Sequence, residues 1–311
     1  MRLAVYLPLL FPVLAAPAAG PLARRLEPRL ATWLLTAAGL LLAAGSTAVL
    51  GLLALAGLVR VPLIASLKEL SPAAVARHDP ATAPVALAAG ALLVAVCCAA
   101  AAVARSRVSA LWASARDAAC LPGRDPVHVT ENAGAEAYTM PGLPGRIVVS
   151  TGMLAALDPR EREVLLAHEH AHLRHHHYAF VTLTHLSAAA NPLLRPLTTA
   201  VAYTVERWAD EQAADTVGDR GTVARTVGKA AIAAKRTRGR DRSPAGALGV
   251  LGRRAVGPGA VPRRVAALLA PAPGSRPLLV LAAVALMATT GACMLEAVLD
   301  LHQFLELAEL R

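Results

Sequence analysis

Val164-Leu-Leu-Ala-His168-Glu169-His170-Ala-His172 is an H-E-x-x-H motif set in an apolar, helix-favouring run. On a helix, His168 and His172 stand at i and i+4, so both imidazoles leave one face and can share a single ion. Glu169 lies beside that face, placed to act on a metal-bound water rather than on the metal itself. A zinc site of this kind needs a third protein ligand and one open position. Just upstream, Asp158-Pro-Arg-Glu161 reads as a helix start, with Asp158 as N-cap, Pro159 at the first position and Glu161 at the third. The helix opened there runs through the motif.

The third ligand should come from a second helix packed on the first. Glu206, Asp210, Glu211 and Asp215 are the downstream candidates, on a helix predicted over 199–217. Glu206 and Asp210 form an i, i+4 pair on one face. In that arrangement Glu206 binds zinc while Asp210 hydrogen-bonds a ligating imidazole and fixes its tautomer. The plain alternative is a solvated acidic face. Ala209, Ala213 and Val217 on the same general side argue for burial, where an unpaired carboxylate is costly.

The chain around this pair of helices is too apolar for an ordinary soluble domain. Of its 311 residues 56% are hydrophobic and only 3% aromatic, and the mean hydropathy is +0.50. Stretches 31–59, 83–104 and 277–295 carry no charged residue and each approaches or exceeds the ~20 residues needed to span a bilayer. A fourth stretch, 3–22, contains Pro8, Pro12, Pro17 and Pro21 and reads as a retained span, with a cleaved signal peptide as the alternative. Cys97, Cys98, Cys120 and Cys293 have neither disulfide-framework nor zinc-ribbon spacing.

The basic residues orient these spans. Arg24, Arg25 and Arg29 place the first loop in the cytoplasm, and mixed charges at Lys68, Glu69, Arg77 and Asp79 place the loop 60–82 outside. Arg105, Arg107, Arg116 and Arg124 then hold the central region inside, and the last span returns a tail with Asp300, Glu306 and Glu309 to the exterior. Much of the net charge of +10 is thereby accounted for without nucleic acid. The expected organisation is a membrane region 1–104, a cytoplasmic catalytic domain 105–234, a basic Gly/Pro-rich linker 235–276 and a final segment 277–311. Strands are expected at Val127–Thr130 and Arg146–Ser150, with turn chemistry at Met140-Pro-Gly-Leu-Pro-Gly145 between them. A buried or membrane-dipping helix is expected over 178–190, and a short helix over 261–269.

With both halves of the motif in view, Glu206-x-x-Ala-Asp210 after His168-Glu-x-x-His172 resembles the gluzincin arrangement of HtpX-type membrane proteases and of the BlaR/MecR integral-membrane metalloproteases. The segments Ala137-Tyr-Thr-Met-Pro-Gly142, Ile147-Val-Val-Ser-Thr-Gly152 and Leu157-Asp-Pro-Arg-Glu-Arg-Glu163 resemble the lead-in to the motif in both groups. Four spans with the zinc region in the third loop, and Asn191-Pro-Leu-Leu194 between the motif helices, are more similar to BlaR/MecR. The resemblance implies His168, His172 and Glu206 as ligands of one Zn2+ per chain. It also implies Glu169 as general base and Asp210 as hydrogen-bond partner of a ligand. By the same resemblance, the strand bearing Ile147, Val148 and Val149 is the edge that a peptide substrate joins. Antibiotic-sensing members carry a penicillin-binding domain after the last span. This chain stops shortly past it, so direct covalent β-lactam sensing is not expected.

The fold expected overall is a predominantly α membrane protein, with about four transmembrane helices and a cytoplasmic α+β zincin-like (gluzincin) metalloprotease domain. It sits in the cell membrane as a multi-pass protein with both termini external; the sequence assigns no oligomeric state. The expected activity is zinc-dependent endopeptidase cleavage of a protein or peptide substrate at the cytoplasmic face, in regulated proteolysis such as cleavage of a transcriptional repressor. HtpX-like quality control of membrane proteins is the rival within the enzyme class. A non-catalytic membrane scaffold or signalling component, binding acidic lipid or protein through 236–254, is the rival outside it, and an intact Glu169 argues against it. His170 should face away from the metal. His175, His176 and His177 read as interfacial residues, since three consecutive positions on one helix diverge.

Overall fold

The computed structural model describes residues 7–58, 83–123, 125–238, 259–272, 274 and 276–309. The expected external loop 60–82, Arg124 and most of the basic stretch 236–254 lie outside the described residues.

Among the described residues three helices precede the strands: α1 (Leu7–Arg25), α2 (Pro28–Leu58) and α3 (Ala83–Cys120). Two of them, over Pro28–Leu55 and Ala83–Cys120, are long and apolar enough to cross a membrane. On α3 the side chains of Leu87, Leu92 and Val94 are exposed, so the described residues supply no cover for that apolar face. The proline-bearing segment forms α1 with Pro12, Pro17 and Pro21 inside it. At the other end of the chain, the apolar part of the last helix covers Pro277–Cys293, shorter than the other two.

A small sheet follows: β1 (Val127–Thr130), β2 (Ala137–Met140) and β3 (Arg146–Ser150), in the order β1-β3-β2. β1 runs parallel to β3, and β2 antiparallel to it. This corrects the expectation for Ile147, Val148 and Val149. They lie on the central strand, paired on both sides and buried throughout, so their backbone groups have no free edge to offer. Ala137-Tyr-Thr-Met140, for which the sequence announces no strand, forms β2 and occupies an edge instead.

Helices α4 (Thr151–Ala156), α5 (Pro159–Arg174), α6 (His177–Ala190), α7 (Arg195–Val217) and α8 (Arg220–Arg238) complete the body, followed by α9 (Ala260–Leu269) and α10 (Pro277–Glu309). The start of α5 is the capping box read from sequence. The Asp158 carboxylate accepts from the Glu161 N–H at 2.9 Å and Glu161 Oε2 accepts from the Asp158 N–H at 2.9 Å. Pro196 sits in the first turn of α7, and Gly218, at φ 77°, ends it in the left-handed conformation that lacks a Cβ penalty.

Helix α7 is the hub, with Val201, Ala209 and Ala213 fully buried. Polar ties hold it and its neighbours to the membrane-type helices. Thr32 Oγ1 donates to Thr204 Oγ1 at 2.8 Å, and Asn191 Nδ2 donates to Ser46 Oγ at 2.9 Å. Arg207 Nη1 donates to the Ala23 carbonyl at 3.0 Å, satisfying a carbonyl at the end of α1. The second motif helix is therefore anchored to α1 and α2 through several independent contacts.

Candidate metal centre

Helices α5 and α7 pack along each other and bring their chemistry-bearing faces together. His168 Nε2 and His172 Nε2 lie 3.1 Å apart. Glu206 Oε1 lies 3.6 Å from His172 Nε2, and Glu206 Oε2 3.8 Å from His168 Nε2. One ligand atom from each of the three falls within 4.8 Å of the others, close enough to hold a metal ion. Among the described residues no other such group occurs. Two nitrogens on a tetrahedral zinc at ~2.05 Å stand about 3.3 Å apart, so this donor set fits with shifts of a few tenths of an ångström. Two imidazoles and one carboxylate are also the set of an open rather than a closed site.

The surroundings are charged and buried. Asp210 Oδ1 lies 3.1 Å from His168 Nδ1, away from the metal-facing nitrogen. Helix α9 delivers Arg264, which donates from Nε and Nη2 to the two Asp210 oxygens at 2.7 and 2.6 Å, and from Nη1 to Glu206 Oε2 at 2.6 Å. The fork of Nε and Nη2 is bidentate on Asp210, while the single Nη1 contact on Oε2 leaves Glu206 Oε1 facing His172 Nε2. Burial alone would raise the Asp210 carboxyl; Arg264, by charge and hydrogen bonds, and His168 outweigh it and hold the group well below the usual carboxylate range. Burial likewise works against the Arg264 cation, but Asp210 and Glu206 raise its pKa above the ordinary value.

The two imidazoles differ. His172 is held well below the ordinary imidazole value by burial, with His168 and Arg264 adding to the effect. Burial also works to lower His168, but its contact with Asp210 prevails and raises it. A neutral ring is the form that ligates a metal, and a metal at the site would compete with the proton on His168.

Glu169 is buried and lines the same cavity as His168, His172, Glu206 and Arg264, a space of about 880 Å³. Ala137, Tyr138 and Thr139 of β2 line it too. His170 is exposed.

Two contributors escaped the sequence reading. Arg264 falls within the expected linker 235–276, yet its helix docks on α7 and completes the site. Nothing local marks that pairing, because its partners are 54 and 58 positions away. The three consecutive histidines do not lie on one helix. α5 ends at Arg174, His176 takes a left-handed φ of 49°, and His177 begins α6. The turn separates their roles. His175 Nε2 lies 3.2 Å from the Gln212 amide oxygen and its ring stacks on Trp208 at 4.6 Å. His177, far from interfacial, is 1% exposed with Nδ1 2.9 Å from His172 Nδ1. Burial, then the charges of His172 and His175, push His177 down to about 2, so the ring is neutral.

No curated protein and no solved structure matches the chain. Residues 104–190 match the model of Peptidase family M48. The match includes all three strands and the helix bearing His168 and His172, and it ends before Glu206. Over this stretch, carrying the first half of a His–His–Glu cluster, the chain is similar to metal-dependent peptidases of family M48.

Proposed function

We propose that the protein is a multi-pass membrane zinc endopeptidase, of the BlaR/MecR layout, acting on protein substrates at the cytoplasmic face of the cell membrane. His168, His172 and Glu206 are its zinc ligands, Glu169 its general base and Asp210 the partner that orients His168. The observation that carries this is the convergence of three ligand atoms from two helices beside a buried glutamate in one cavity. The topology rests on the charges flanking the apolar helices, with Arg105, Arg107 and Arg116 on the inner extension of α3.

A zinc ion held there would supply Lewis acidity to the attacking water and the scissile carbonyl. Glu169 takes the proton of the attacking water and delivers it to the leaving amine. Asp210 holds His168 through Nδ1, and Arg264 holds the outer oxygen of Glu206. β2 supplies the strand edge that a substrate joins. Ser150 N donates to the Glu136 carbonyl at 2.9 Å. With the register Ala137↔Val149, the backbone groups of Ala137 and Thr139 therefore point away from β3. That free edge borders the cavity, so an extended peptide paired to it passes over Glu169 and the ligands.

In the regulated form of this reading, the substrate is a cytosolic repressor whose cleavage releases transcription. The test is a proteome-wide comparison of cleavage products from cells carrying wild type or Glu169→Ala. Loss of cleavage with zinc content unchanged is expected. Cleavage persisting in the variant refutes the assignment of Glu169.

A further inference from the structure

The mechanism uses His172 as a ligand but leaves open what its other ring nitrogen does. His172 turns Nε2 toward His168 and Glu206. If the neutral ring offers that nitrogen to a metal, its proton lies on Nδ1 and needs an acceptor. The atom 2.9 Å away is Nδ1 of His177. Two ring nitrogens at that distance bond only when one bears a proton and the other a lone pair. His177 must then accept at Nδ1 and carry its own proton at Nε2. That Nε2 has no hydrogen-bond partner among the described residues, and the ring packs against Trp208 at 4.7 Å. His172 and His177 meet nearly edge-on, with ring planes at 87°. His177 is held there by the left-handed turn at His176, which no glycine eases.

We propose that His177 is a positioning residue for the metal site: its Nδ1 accepts the Nδ1–H of His172 and fixes the tautomer and ring orientation in which His172 Nε2 faces the ion. The two histidine ligands then have unlike partners, a carboxylate on His168 and a neutral imidazole on His172. A neutral acceptor orients the ring without adding negative charge, in a centre that already holds Glu169, Glu206 and Asp210 against Arg264. This inference rests on the zinc-site reading above and goes beyond it.

The test separates the acceptor nitrogen from the bulk of the ring. Asparagine places its Oδ1 the same number of bonds from Cα as His Nδ1, so His177→Asn keeps an acceptor. His177→Leu removes it, and His177→Phe removes it while keeping a ring on Trp208. The readout is zinc affinity of the full chain in detergent, by competition with a chromophoric chelator, with thermal unfolding of each metal-free protein alongside. The Leu and Phe variants should bind zinc about 10- to 100-fold more weakly, with Asn restoring affinity to within about threefold of wild type. If Leu fails to fold, Phe against Asn makes the same comparison. Wild-type affinity in an acceptor-free variant overturns the inference, as does an Asn variant as weak as Phe. Should His172→Ala lose zinc while His177→Phe keeps it, the inference falls alone. Wild type that takes up no zinc overturns the zinc-site reading and the inference with it.

Discussion

Replacing Arg264 by methionine removes the cation on which two buried carboxylates depend. The guanidinium makes three hydrogen bonds of 2.6–2.7 Å, two to Asp210 and one to Glu206. Its side chain is 11% exposed, against 2% for Asp210 and 16% for Glu206. After the substitution the polar contact left to Asp210 among the described residues is that with His168 Nδ1 at 3.1 Å. Breaking a buried pair by deleting one partner costs about 3–5 kcal/mol, because the other charge stays buried and uncompensated. At about 2–4 °C per kcal/mol, the metal-free melting temperature should fall by about 6–20 °C. Zinc should recover part of that loss, since it offers Glu206 another cation. The assay is near-UV circular dichroism in detergent, with and without zinc. Arg263→Met is the control: Arg263 is exposed, 5.4 Å from the Tyr203 ring, and should shift stability by only about 0.5–1 kcal/mol. A metal-free Arg264→Met protein melting within about 2 °C of wild type, a fraction of the loss expected for a broken buried pair, would refute the docking of α9 as argued.

Two further outcomes follow from the same geometry. His172 and His177 are both held below the ordinary imidazole value of 6.5, burial being the main cause. Below pH 6.5 the unfolded chain takes up protons that the folded rings refuse, so their contribution is full above that pH and shrinks as pH falls. His168, whose pKa is raised, opposes this slope only weakly there, because below pH 6.5 the unfolded ring is itself mostly protonated. Metal-free protein should therefore lose stability between pH 6 and 5, by up to about 1.4 kcal/mol per pH unit for a ring that stays neutral throughout, as His177 does; a melting temperature flat or rising over that interval contradicts the assignment. Thr139→Pro removes an outward N–H from β2 without touching the ladder to β3. It should lower kcat/KM for protein substrates about fivefold while zinc content holds, one lost main-chain bond being worth about 1 kcal/mol; unchanged kinetics would remove β2 as the docking edge.

What was legible in the sequence is what short-range rules encode. The capping box at Asp158 and Glu161, the i, i+4 spacing of His168 and His172, and the matching spacing of Glu206 and Asp210 each arise within one helix, and all are found as read. The misreadings arise where structure depends on partners distant in sequence or on a backbone exception. The family resemblance puts Ile147, Val148 and Val149 at an edge, and the short-range pattern does not announce β2 as a further strand. The pairing of β2 turns their strand into the centre. His177 was misplaced because the left-handed turn at His176 lacks the glycine or asparagine that normally announces one. Arg264 was hidden in a basic segment whose composition suggests a linker. Its role comes from the buried charges it meets.

The central claim is that His168, His172 and Glu206 together hold one zinc ion. Elemental analysis of the full chain, purified without added metal, tests it most directly alongside His168→Ala, Glu206→Ala and Glu169→Gln. The account predicts one zinc per chain in wild type and Glu169→Gln, and strong depletion in the other two. Wild type without zinc, or a His168→Ala protein that retains it in full, would contradict the account.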